Sequence, residues 1–260
     1  MPTLRIGVDV GATGAKAAVV EVTTGQLLSE RLRFDTPNEA TAIFATVEKL
    51  ITTLQDRDPR VKDAAVGIAF PSVIKNGQIR TAANIDAATI GRNVEAEFAD
   101  YLGVSVIALN DADAAALAEV KYGLLSDHPE YSTADAVMVL TLGTGIGSGY
   151  VYRGQLIPNF ELGHLELDGV VAESRAAASA IVRDDLDWPM YAERVNRYLA
   201  HVHRLFSPDV FVLGGGVSRE AESFLPLLQA PVPVEVATLR ADAGIIGAAA
   251  FAAAHHAEEV

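Results

Sequence analysis

The order of apolar and polar positions divides the chain into a short series of strands and helices. Leu4–Val10 is almost continuously apolar, and residues 16–22 follow a glycine-containing turn as its return strand. A third strand is predicted over 26–34, reached through the turn "TTG". Residues 40–54 repeat at helical spacing instead, with Ile43, Val47, Leu50, Ile51 and Leu54 on one face. A short buried strand (64–70) closed by Pro71, a helix (Val94–Leu102), a strand (104–109) and a helix (Asp111–Tyr122) complete the first half. The second half reopens on the same theme: strand Ala136–Leu142, the turn "GTGIG", a return strand over 148–153 and the turn "RGQL". A helix (190–206), a buried strand (209–213), a helix (219–228), a strand (232–236) and a closing helix (245–254) follow. Two hairpins, each followed by alternating helices and strands, predict a duplicated α/β plan.

Composition narrows the class. At 260 residues, the chain is long enough for one large or two small domains. Half of it is hydrophobic and 21% is charged, as in ordinary globular proteins. A net charge of −14 argues against a nucleic-acid or anionic-membrane surface. It leaves room for a small anionic substrate, because a nest of N–H groups and one or two cations can hold phosphate on an acidic protein. With no cysteine there is neither a disulfide nor a thiolate metal site. The opening "MPTLRIGVDV" runs straight into a strand pattern with no leader-like region. No apolar run reaches the roughly 18 residues of a membrane span. A cytoplasmic protein with no membrane and no nucleic-acid partner is expected.

Candidate chemistry begins at "IGVDVGATGAK". The glycine spacing fits neither the dinucleotide fingerprint nor the Walker A loop, and a strand, not a helix, follows it. What remains is a hairpin whose N–H groups face an anion. Gly11 and Gly14 would allow positive φ and close approach, Thr13 a hydroxyl donor and Lys16 a cation, and Asp9 could hold Mg²⁺ through water. "TLGTGIGSG" is a second such turn, and "LGGGVS" a glycine corner suited to a nucleotide. Asn110 and Asp111 stand where a buried strand meets a helix, a place for an N-cap and also for a ligand. One cap does not account for Asn110, Asp111 and Asp113 together, and a carboxylate there can take the proton of an attacking hydroxyl. In "PNFELGHLELDG", Glu161, His164 and Glu166 suit a polyhydroxylated ligand, a metal or a structural hydrogen-bond centre equally. His201 and His203, two apart on a helix, face different ways.

In their order, "GVDVGATGAK", "AAN", "NDADAAALAEVKYG", "LTLGTGIGS", "PNFELGHLEL", "FSPDVFVLGGGVS" and "AGIIGAA" resemble the ROK family of sugar kinases, and within it the polyphosphate glucokinase branch. The resemblance spans nearly the whole chain. It implies an actin-like ATPase (ribonuclease H-like) duplicated fold, with two α/β domains around a cleft. One domain would be 1–110, completed by a helix over 243–258, and the other 111–242. It implies transfer of a terminal phosphoryl group from polyphosphate and/or ATP, with Mg²⁺, to the 6-hydroxyl of glucose or a related hexose, by a homodimer. Asp111 matches the catalytic base, and Asn110, Glu161, His164 and Glu173 match sugar ligands, with Asn84 on a sugar-side loop. Asp9, Gly11, Thr13, Gly14 and Lys16 match the first phosphate loop, and Thr141, Gly143, Thr144 and Gly145 the second. Gly214, Gly215, Gly216 and Val217 match the far end of the donor site. Zinc is not expected, since the family's cysteine motif is missing. The chain departs from the branch at Ala12, Ser72, Ala88, Thr89, Phe160, Arg175, Ala176 and Ala177, mostly near the sugar. A kinase for another sugar, or a weak sugar-binding paralogue, is the alternative. The family's repressors need a helix-turn-helix before the first strand, and only three residues precede Leu4, so DNA binding is not expected.

Overall fold

The computed structural model of the chain describes residues 3–83, 85–128, 131 and 134–256. It divides into two α/β units, Met1–Ala118 with Asp242–Val260, and Glu119–Ala241.

In the first unit, β1 (Leu4–Val10) and β2 (Ala15–Glu21) form an antiparallel hairpin. The strand expected over 26–34 is two short pieces, β3 (Gln26–Leu27) and β4 (Leu32–Phe34), both on β2. The interruption has a cause: Val19 N donates to the Ser29 hydroxyl at 3.0 Å, so a side chain takes the place of a ladder carbonyl. After α1 (Ala40–Arg57) comes β5 (Val66–Phe70), parallel to β1. A small hairpin, β6 (Ile74–Lys75) and β7 (Gln78–Ile79), precedes α2 (Val94–Leu102). β8 (Val106–Asn110) then pairs parallel to β5 and leads directly into α3 (Asp111–Tyr122).

Alternation along β2 serves two helices. Ala17 and Val19 share a core with Ile43, Val47, Leu50, Ile51 and Leu54 of α1. Ala18, Val20 and Val22 pack with Ile245 and Ala249 of the C-terminal helix (Ala243–His256). That helix touches the sheet backbone itself. A Cβ at Gly7 would stand 2.0 Å from the Ile245 carbonyl oxygen, and one at Gly67 1.9 Å from that of Ala248. Contact this close explains why the closing helix is built almost wholly of alanine, glycine and isoleucine.

The second unit repeats the plan. After α4 (Leu124–Asp127), β9 (Ala136–Leu142) and β10 (Ile146–Tyr152) make the antiparallel hairpin, with β11 (Gln155–Ile157) on β10. A small hairpin, β12 (Glu166–Leu167) and β13 (Val170–Val171), leads to α5 (Glu173–Ala176) and α6 (Ser179–Arg183). α7 (Trp188–Phe206) is capped by Asp187, whose carboxylate accepts from Met190 N at 2.9 Å. β14 (Val210–Gly214) lies parallel to β9, and β15 (Val234–Val236) parallel to β14. The continuous helix expected over 219–228 is not formed. A 3₁₀ turn (Gly216–Glu220), α8 (Ala221–Phe224) and a second 3₁₀ turn (Leu225–Leu227) stand there, because Pro226 has no N–H with which to continue a helix.

The division between units falls inside α3, after Ala118, where the family resemblance implied 110/111. Glu119 holds the far end of α3. Buried at 1% exposure, it accepts from Leu124 N, Thr238 N and Leu239 N at 3.2, 3.1 and 2.8 Å, tying together the two places where the chain passes between units. No helix among the described residues is long and apolar enough to cross a membrane.

Candidate active site

In the first unit, the β1–β2 turn is closed by Gly11 N donating to Gly14 O at 3.1 Å. Asp9 and Lys16 face each other across the hairpin, and Lys16 Nζ lies 3.1 Å from Asp9 Oδ2, so cation and carboxylate form one ion pair. The expected positive φ at Gly11 and Gly14 is absent, and a Cβ on Gly11 would stand 3.1 Å from Gly14 O. A Cβ on Gly14 would meet the Arg33 guanidinium at 2.8 Å, and that guanidinium donates to Thr13 O at 3.3 Å. Thr36 Oγ1 donates to Gly11 O at 2.6 Å. Arg33 and Thr36, which sequence reasoning missed, thus brace the turn from β4 and the loop after it. Asp9 meets the start of the C-terminal helix, where a Cβ on Gly244 would come within 2.7 Å of its carboxyl carbon. The positive end of a helix dipole therefore lies against this carboxylate.

At the end of β8, the two candidate polar residues divide their tasks. Asn110, 7% exposed, accepts from Ala112 N at 2.8 Å and Asp113 N at 3.1 Å, and its amide donates to Ser72 O at 3.2 Å. Asn110 is therefore the N-cap of α3. Both acceptor positions of its side-chain oxygen are used, and one of its two amide hydrogens is engaged. Asp111 follows it in the first turn, half-buried, with Oδ1 accepting from Ala112 N at 2.9 Å. Asp113 is fully buried. Asn84 lies outside the described residues.

In the second unit, Glu161, His164 and Glu173 converge. His164 Nε2 stands 3.7 Å from Glu161 Oε2, and its Nδ1 3.9 Å from Glu173 Oε1. Both separations exceed a hydrogen bond, so the imidazole lies between two carboxylates without being locked to either. Desolvation holds the Glu161 carboxyl above the ordinary glutamate range; the charge of Glu173 adds to this, and His164 opposes it. Glu166 is exposed on β12. Among the described residues, no group of three or more His, Cys, Asp or Glu could hold a metal ion. Ser148, which the sequence reading passed over, fixes this loop from β10: its buried hydroxyl donates to Phe160 O at 2.7 Å and accepts from Leu162 N at 3.0 Å.

The glycine turns of this unit separate into two kinds. Gly145 makes room for Glu173, since its Cβ would lie 2.6 Å from Oε2, and that same oxygen accepts from Ile146 N at 3.2 Å. Gly215 has φ 81° and lies against Leu142, whose carbonyl oxygen a Cβ would approach to 2.5 Å. At Gly143 and Gly216, by contrast, a Cβ would meet nothing within 4 Å. Gly214 sits beside Thr141, Val217 is buried and Thr144 is exposed. Of the residues that depart from the expected pattern, Phe160 packs in an aromatic trio with Tyr150 and Phe206, at centroid distances of 5.4 and 5.5 Å. Arg175 lines a pocket of about 190 Å³ with Leu167, Ala172, Met190, Arg194 and Arg197.

The chain is similar to known proteins over nearly its whole length. The profile of the ROK family matches residues 5–183. A polyphosphate glucokinase of Mycobacterium tuberculosis is 42% identical over 246 residues, which is 94% of this chain and 89% of that one. The crystal structure of an inorganic polyphosphate/ATP-glucomannokinase from Arthrobacter sp. strain KM matches at a TM-score of 0.90 and 41% identity, over 98% of this chain and 100% of that one. A ROK family glucokinase from Streptomyces griseus, in complex with glucose and AMPPNP, matches at 0.81 and 25% identity, over 96% of this chain and 99% of that one. With the profile, the near-full-length identity and the duplicated actin-like α/β fold in agreement, the chain belongs to the ROK family.

Proposed function

We propose that this protein is a sugar kinase, transferring the terminal phosphoryl group of polyphosphate or ATP to the 6-hydroxyl of glucose or a closely related hexose. The observation that carries this reading is the end of β8: with Asn110 capping α3, the adjoining Asp111 carboxylate stands in the first turn at the carboxyl end of a parallel strand, where α/β sheets bind ligands. The relatives' names supply the substrate class: polyphosphate with glucose in one, polyphosphate or ATP in another.

In this mechanism Asp111 accepts the proton of the sugar 6-hydroxyl as its oxygen attacks the terminal phosphorus. The bond to the bridging oxygen breaks in line, and ADP or a polyphosphate one unit shorter leaves, with no phosphoenzyme. Glu161, His164 and Glu173 hold other hydroxyls of the hexose, and Asn110 can offer its remaining amide hydrogen. Lys16 and the Gly11–Gly14 turn act on the donor, as do Gly143 and Gly216, which face open space. Mg²⁺ in such reactions is carried largely by phosphate oxygens and water with one or two carboxylates, a role that Asp9 fits as a single carboxylate. It would neutralise charge on the donor. A homodimer and a cytoplasmic location complete the proposal, the first checked by light scattering.

A turnover screen crossing polyphosphate, ATP and GTP with a panel of hexoses tests this reading. Phosphorylation of glucose or mannose is expected with polyphosphate and with ATP. Turnover with ATP alone would reject the polyphosphate donor, and no turnover with any pair would reject the kinase.

A further inference from the structure

Ser72 stands in the same corner as the proposed base and has a hydroxyl that no described residue engages. β5 and β8 are neighbouring parallel strands, and Phe70 is in register with Asn110, so Pro71-Ser72 leaves the sheet at the level where Asn110-Asp111 leaves it. Backbone bonds hold Ser72 there: its N–H donates to Phe70 O at 2.7 Å, and its carbonyl accepts from the Asn110 amide at 3.2 Å. The next residue is fixed as well, with Val73 N donating to Thr81 Oγ1 at 2.9 Å. Ser72 itself is only 2% exposed, and its Oγ has no hydrogen-bond partner among the described residues.

A buried hydroxyl without a partner destabilises a protein relative to alanine, so a fold with no use for it gains nothing by keeping it. A serine hydroxyl also has three staggered positions, and its hydrogen turns freely, so a ligand can complete the bond without moving the backbone. We propose that Ser72 is a specificity-determining contact for the acceptor: its Oγ forms a hydrogen bond with one hydroxyl of the bound hexose, beside the 6-hydroxyl that Asp111 deprotonates. This rests on the kinase reading above. The partner is a sugar hydroxyl rather than a phosphate, because the groups that hold Ser72 in this corner are neutral, the Phe70 carbonyl and the Asn110 amide.

The test compares wild type with Ser72→Ala. Glucose Kd is measured by calorimetry, and kcat and KM are measured with glucose and its 2-, 3- and 4-deoxy analogues. The alanine variant is expected to bind glucose about five- to tenfold more weakly. The loss should fall on hexose KM more than on kcat or donor KM, while the thermal midpoint of the sugar-free protein holds or rises. The decisive sign is selective: the penalty should vanish for the one deoxy sugar that lacks the contacted hydroxyl. A glucose Kd within twofold of wild type would overturn the proposal. So would an equal penalty on every analogue, since Ser72 would then act through the fold. If wild type binds hexose without turning it over, the kinase reading fails while the calorimetric comparison still decides the Ser72 contact. If wild type binds no hexose, both fail.

Discussion

Asn110 and Asp111 differ by one position and by one atom type, yet only the second can take a proton. Because Asn110 Oδ1 already caps α3, Asp111→Asn leaves the helix start intact while removing the carboxylate. We expect kcat to fall about 10²- to 10⁴-fold, with hexose affinity and thermal midpoint nearly unchanged. Turnover near that of wild type would show that Asp111 is not the base. Glu161 makes a different prediction, one about pH. Its carboxyl is held above the ordinary range, chiefly by desolvation, and a sugar hydroxyl needs the ionised form as acceptor. Hexose affinity should therefore weaken on acidification at a higher pH than an ordinary glutamate would cause. In the sugar-free protein the sign reverses: the contribution of Glu161 to stability is full below its unfolded pKa and is lost as pH rises through the raised folded value. Glu161→Gln should therefore stabilise the free protein at neutral pH, weaken hexose binding and remove the acid step from calorimetric Kd values taken from neutral pH to about pH 4. An unchanged pH profile in that variant would refute the assignment.

At the scale of elements, glycine decides how closely layers approach. Gly67 lies in β5 beneath the carbonyl of Ala248, and a methyl there would overlap backbone that no rotamer can move. Gly67→Ala should cost about 3 kcal/mol in denaturant unfolding; a loss under about 0.5 kcal/mol would mean that the helix shifts freely. Such contacts also mark how far the sequence could be read. The α1 stripe from Ile43 to Leu54 and both strand–turn–strand hairpins were legible because their periodicity is local. The broken segment after Gly216 was not, because its apolar spacing is helical and only Pro226 and the glycine corner oppose it. Nor were α5 and α6, which at four and five residues are too short to show a period. The candidate polar residues could be named from motif order. Their division of labour could not: that Arg33 packs against Gly14, that Gly145 leaves room for Glu173, and that Ser148 fixes the loop carrying Glu161 depends on residues brought together by tertiary packing.

At the scale of the whole molecule, the first unit is discontinuous and the second is not. The face formed by Ala18 and Val20 of β2, with Val22 just beyond it, has its partner in the C-terminal helix, beyond the entire second unit. Removing residues from 242 onward should leave Glu119–Ala241 resistant to limited proteolysis while β1, β2 and β5 are digested; a first unit that stays resistant without the helix would contradict this. The same discontinuity sets a timetable for biosynthesis. A ribosome delivers the sheet with the phosphate-type turn early and its covering helix late. Making the intervening stretch takes about 6–25 s at about 5–20 residues per second. For that interval an alanine- and valine-lined sheet face is exposed on the nascent chain, where chaperones or unwanted partners can reach it. The half of the protein that is synthesised first is therefore the half that finishes folding last.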